Sequence, residues 1–120
     1  MAYQSFEDLE VWKRSCRQAV DVYRTMEDCR KYSLKDQMER SGLSVPSNIA
    51  EGHERDSQGD FVRFLRIAKG SNGELRTQAY IAAELGLLDK AKSREMITES
   101  KEISSMLQGL IRSIQAKSGA

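Results

Sequence analysis

The chain has 120 residues, with nineteen Lys and Arg against eighteen Asp and Glu and a single histidine. That length suits one domain with one core, and the near-cancelled charge gives bulk electrostatics no reason to draw the chain to nucleic acid or a membrane. No apolar run approaches the ~20 residues that span a bilayer, and the opening MAYQSFEDLEVW lacks a signal segment's apolar centre, so a cytoplasmic protein is expected.

Glycine and the single proline are too sparse to punctuate a β-protein, and apolar residues recur instead with a helical period of 3.6. The first helix is predicted from about Phe6 to Asp28, with Leu9, Trp12, Cys16, Ala19, Tyr23 and Met26 on one stripe. Glu7, Asp8 and Glu10 at its start complement the helix dipole. The second opens at Ser33, with Asp36 completing a capping-box-like pair, and carries Leu34, Met38, Ser41, Val45, Asn48 and Gly52 on one face. The third starts at a second such pair, Ser57 and Asp60, and presents Phe61, Phe64, Leu65, Ala68, Leu75, Ala79 and Ala82 before a glycine stop at Gly86. Asp89 can cap the fourth, whose stripe is Ile97, Ser100, Ile103, Leu107, Leu110, Ile111 and Ile114. Short connections make neighbours antiparallel. The expectation is an all-α, up-down-up-down four-helix bundle, a single domain over 1–120 with ends frayed at about 1–5 and 116–120. Cys16 and Cys29, thirteen residues apart in one helix, would lie roughly 20 Å apart, beyond disulfide reach.

The one proline, Pro46, falls inside the second helix in SVPSNIAEG. A proline there removes a hydrogen bond and crowds the carbonyl four residues back, that of Gly42, at a cost of about 3 kcal/mol. A kink is therefore expected at Pro46. Counting outward from a turn near Arg55 to Ser57 sets Ser41, Gly42 and Ser44 level with Gly70, Ser71 and Gly73 of GSNGEL. Small residues on both sides predict a narrow waist between helices two and three, with Ser41, Asn48 and Ser71 pairing the backbone groups that the kink releases. Leu43, Pro46 and Ala50 form a second apolar stripe on helix two, a candidate oligomer interface. Gly52 would then end that helix, leaving His53 in a loop.

FEDLEVWKRS, SVPSNIAEG, FVRFLRIAKGSNGELRTQ and SSMLQGLIRSIQ together resemble the four-helix-bundle family of 23S rRNA intervening-sequence proteins, over roughly residues 5 to 115. The resemblance implies a homopentamer similar to the accessory proteins of diversity-generating retroelements, which bind nucleic acid and a reverse transcriptase through basic surfaces. It implies no catalytic activity.

The residues themselves agree on that last point. One histidine and two distant cysteines cannot supply the three or four ligands of a zinc site. GSNGEL has no lysine and follows no strand, so it is not a phosphate loop, and no other cofactor is expected. Glu51, His53 and Glu54 are charged loop residues rather than an acid–base group, while Glu74 would be held against helix two. Placement makes the basic residues more informative than their number. Lys13, Arg14 and Arg17 are the only charges between Val11 and Val20, as are Arg63, Arg66 and Lys69 between Phe61 and Gly73. A ring of subunits would multiply either patch into a belt for RNA or DNA, or for a reverse transcriptase or other RNA-bound protein. The alternative is a purely structural or protein-interaction oligomer in which these residues serve solubility.

Overall fold

The computed structural model describes residues 5–117. A 3-10 turn, Phe6–Asp8, leads into α1 (Glu10–Thr25), α2 (Tyr32–Glu54), α3 (Gln58–Glu84) and α4 (Lys90–Lys117), and these helices share a body of 48 × 19 × 19 Å. α1 packs on α2 and α4, and α3 packs on the same two, which leaves α1 and α3 diagonal to each other. Of the ends expected to fray, residues 1–4 and 118–120 lie outside the described residues. Ser5 caps the 3-10 turn by accepting from the Glu7 N–H, and α4 extends to Lys117.

Two apolar clusters fill the interior. One joins Leu9 and Val11 to Val45, Ile49, Leu65, Ile103, Leu107 and Ile111. The other joins Val22 and Met26 to Met38, Leu75, Ala79, Ala82, Met96 and Ile97. α1 and α3 run from the first cluster to the second, and α2 and α4 run back, so consecutive helices point in opposite directions. On every helix buried polar residues lie between the clusters: Ser15 and Gln18 on α1, Ser41 on α2, Ser71 and Asn72 on α3, Ser100 on α4. A polar layer thus crosses the middle of the bundle.

Most start and stop signals act as their chemistry dictates. The Ser57 hydroxyl accepts from the Asp60 N–H at 3.0 Å, and Asp89 accepts from the Lys92 N–H at 2.8 Å. Gly86, at φ +74°, ends α3 with the Leu87 N–H on the Ala82 carbonyl and the Gly86 N–H on that of Ala83. Three boundaries differ from the sequence expectation. Leu9 is extended and buried, so the turn before it and α1 after it are separate elements. α2 begins at Tyr32, and its N-cap, Lys31, makes no side-chain bond. α2 also continues past Gly52 to Glu54, because that glycine is a point of close approach rather than a terminator. A Cβ there would lie 2.6 Å from Phe64 Cβ and 3.3 Å from the Phe61 carbonyl oxygen.

The expected waist is half correct. Ser44 and Ser71 do meet, Oγ to Oγ at 2.8 Å, and the Asn48 amide donates to the Ser44 carbonyl at 2.9 Å and hydroxyl at 2.8 Å. Gly70 and Gly73, however, face open space: a Cβ at either would meet nothing within 4 Å. Their motif owes its place in the core to Asn72 between them. The Asn72 Nδ2 donates to the Ser100 carbonyl at 2.7 Å, and the Ser100 hydroxyl donates back to Asn72 Oδ1 at 3.1 Å. The close backbone approach of α2 to α1 falls at Gly42, where a Cβ would lie 3.6 Å from Ala19 Cα. Ser41 is buried near it.

Candidate nucleic-acid and self-association surfaces

The two basic patches sit on diagonal helices, so within one chain they are separate surfaces. The α1 patch is broken up. Arg14 turns to α4, where its guanidinium donates to both oxygens of Glu99 and, at 2.7 Å, to Glu102. The hydrogen bond it donates to Glu99, then that to Glu102, raises its pKa further above the ordinary arginine value. Its charge is matched by carboxylates and is not offered to phosphate. Lys13 is exposed and Arg17 lies on the rim of a groove between α1 and α4. A second bridge crosses the same seam: Lys92 Nζ donates to Asp21 at 2.8 Å and to Glu95 at 3.0 Å. Burial disfavours the Lys92 charge, but these carboxylates outweigh it and the pKa is raised.

The α3 patch survives. Arg66 is exposed; Arg63 is exposed too, 3.6 Å from Asp60 with its guanidinium 4.6 Å from the Phe64 ring centroid. Lys69 donates to the neutral amide oxygen of Gln108 at 2.8 Å rather than to a carboxylate. One turn beyond Gln108, the exposed Arg112 extends the patch onto α4. The sequence pattern does not single out Arg112, because only the packing of α4 on α3 brings it near. The glutamates of α3 lie at 74 and 84, beyond this stretch; Glu74 is exposed and does not press on α2.

The second stripe of α2 is also altered. Leu43 is 50% exposed and Ala50 half-buried, but Pro46 is buried. Pro46 lies one turn from Gly42 on the flank that packs on α1, which explains its cover. In an antiparallel pair, the residues that follow two facing positions emerge on the same side of the seam. Val20 follows Ala19 as Leu43 follows Gly42, so both rise on one outer flank, with Tyr23 a turn away. All three are near half exposed.

The remaining candidates for chemistry do not converge. His53 lies in the last turn of α2 rather than a loop, its ring edge-on to Phe61 at 5.5 Å and to Phe6 at 6.3 Å. Glu51 pairs with Arg55 at 2.9 Å. Both cysteines are free, and burial raises the Cys16 thiol pKa against the pull of Arg17. Among the described residues no group of three His, Cys, Asp or Glu is placed to hold a metal, and no helix is long and apolar enough to cross a membrane.

The same arrangement of four helices occurs in a crystallised protein of unknown function from the S23 ribosomal protein family of Bacteroides thetaiotaomicron. The two share 24% identity and a TM-score of 0.79, over 84% of this chain and 97% of that one. A comparison with curated proteins returns no match. The family model described as 23S rRNA-intervening sequence protein matches residues 7–109, a span that holds the α3 basic face, the polar layer and the glycine contacts at 42 and 52. The chain therefore belongs to the 23S rRNA-intervening sequence protein family.

Proposed function

We propose that this protein is a non-enzymatic, self-associating adaptor, a pentamer on its family resemblance, that offers the outer face of α3 to RNA or DNA or to an RNA-bound protein. The observation behind this reading is the α3 patch: Arg63, Arg66 and Arg112 are exposed, half-buried Lys69 bonds the neutral Gln108, and among the described residues the one ion pair to this group is that of Asp60 with Arg63. Guanidinium and ammonium groups in such a row suit a phosphate backbone. The apolar flank of Val20, Tyr23 and Leu43 supplies a surface for a second copy, since contiguous exposed apolar residues mark interaction sites. Repetition of a weak basic site around an oligomer raises apparent affinity without any new contact.

Anisotropy with labelled duplex and single-stranded RNA and DNA tests the reading. Three phosphate contacts predict a slope of log affinity against log salt near about −2.7 on duplex and about −2.1 on single strands. Glutamine at Arg63, Arg66 and Lys69 flattens the slope with the oligomer intact, whereas Leu43→Glu dissociates the oligomer with the helices intact. No binding at low salt would leave the structural or protein-interaction oligomer as the better reading. That reading is favoured by the neutralisation of Arg14. A monomer in light scattering at micromolar concentration would overturn both.

A further inference from the structure

We propose that the outer face of α4 carries a double-stranded nucleic acid along its length, as one track with the basic face of α3. This rests on the reading of α3 given above and fixes its ligand as a duplex of about one turn. The row runs from Lys90 and Arg94 through Thr98, Lys101, Ser105 and Gln108 to Arg112. Its members are three or four residues apart, so they stack on one side of the helix. All are exposed except the half-buried Gln108. Gln108 accepts from the Lys69 ammonium at 2.8 Å, which joins the row to the α3 face.

α4 carries charges of both signs and sorts them. Its carboxylates are engaged at the α1 seam: Glu95 by Lys92, which also holds Asp21, and Glu99 and Glu102 by Arg14. Among the described residues no ion pair engages Lys90, Arg94, Lys101 or Arg112. Arg94 stands where the row passes the groove beside α1. One flank of the helix thus carries matched pairs with surplus carboxylate, and the outer face carries unmatched cations. Near-zero net charge conceals this, since the two signs cancel over the chain but not over the surface.

The composition and length of the row select the ligand. A protein partner is met by an interface with an apolar centre, and the row holds no apolar side chain. Its cations, hydroxyls and amide are the donors that phosphate oxygens take. It holds no aromatic ring on which the bases of a single strand would stack. From Lys90 to Arg112 the helix rises by about 33 Å, close to the ~34–36 Å over which a duplex completes one turn. A straight α4 therefore keeps cations beside a straight duplex from one turn to the next.

Anisotropy of the full chain with labelled DNA and RNA duplexes of about 12 base pairs, and with their single strands, tests the track. Contacts from the four α4 cations, added to three from α3, steepen the duplex salt slope from about −2.7 toward about −6.3. Arg94→Gln with Lys101→Gln, both at exposed positions, flattens it by about 1.8 and weakens duplex binding at least about tenfold, with helicity and oligomer unchanged. A duplex of about 6 base pairs, which spans half the row, binds at least about tenfold more weakly. If the slope stays near about −2.7 and the α4 double variant binds like the parent, while glutamine at Arg63, Arg66 and Lys69 abolishes binding, the α4 track is wrong and the α3 reading stands. If no duplex binds at low salt, both fall. Single strands that bind as tightly as duplexes, or polyglutamate that displaces a duplex at equal charge, also overturn the proposal, leaving a site for any polyanion.

Discussion

Gly52→Ala lowers the unfolding free energy by about 2–3 kcal/mol, even though alanine is the better helix former by nearly 1 kcal/mol. The added Cβ would sit 2.6 Å from Phe64 Cβ and 3.3 Å from the Phe61 carbonyl oxygen, and neither is the loose end of a flexible side chain. α2 and α3 must part along their tightest stretch, and overpacking of that kind costs about 1–3 kcal/mol. Gly70→Ala shifts the other way: its Cβ meets nothing within 4 Å, so stability rises by about 0.5–1 kcal/mol. Urea denaturation of both variants at one protein concentration checks the pair. Equal midpoints would show that neither glycine is where the packing places it.

Asn72→Ala is the second large effect, a loss of about 2–4 kcal/mol. It leaves the Ser100 carbonyl without its donor and opens a void in a fully buried position. At roughly 4 °C per kcal/mol for a chain of this size, thermal melting falls by about 8–16 °C. Adding Ser100→Ala to Asn72→Leu recovers part of the deficit, since it removes the hydroxyl that has lost Asn72 Oδ1, while the Ser100 carbonyl stays without its amide donor. Strict additivity of the single changes would show that the two side chains are not coupled.

These two residues also mark where the sequence stopped being readable. Counting at the helical rise from the α2–α3 turn finds the correct level, for Ser44 does face Ser71. Level is one coordinate; rotation about the axis is the other, and it is inferred from apolar residues alone. Asn72 interrupts the apolar record of α3 at that level, so nothing points away from the glycines beside it. The same blindness turns the stripe of α1. Trp12, Cys16 and Tyr23 read as core and lie at its edge, whereas the centre holds Ser15 and Gln18 among Val11 and Val22. Gly52 reads as a helix stop because a glycine near a helix end usually is one; only the tertiary contact with Phe64 tells otherwise. The caps at Ser57 and Asp89 and the stop at Gly86 were legible because each works through atoms within a turn or so of itself. The basic face of α3 was legible in composition, but Arg14 was not separable from it until α4 brought Glu99 alongside.

The polar layer has a consequence for sliding. Leu, Ile, Val, Met and Ala on either side of it are nearly interchangeable as hydrocarbon, so an apolar bundle would tolerate α4 displaced by about one turn, 5.4 Å, along α3. Such a slip would set Ile97 or Ile103 opposite Asn72 in place of Ser100, stranding the amide in hydrocarbon. Asn72 and Ser100 thus act as an index mark that admits one axial alignment, as a lone buried asparagine does in coiled coils. A variant with the whole layer made apolar keeps its helicity and resists urea at least as well, but its amide resonances broaden and multiply as several alignments coexist.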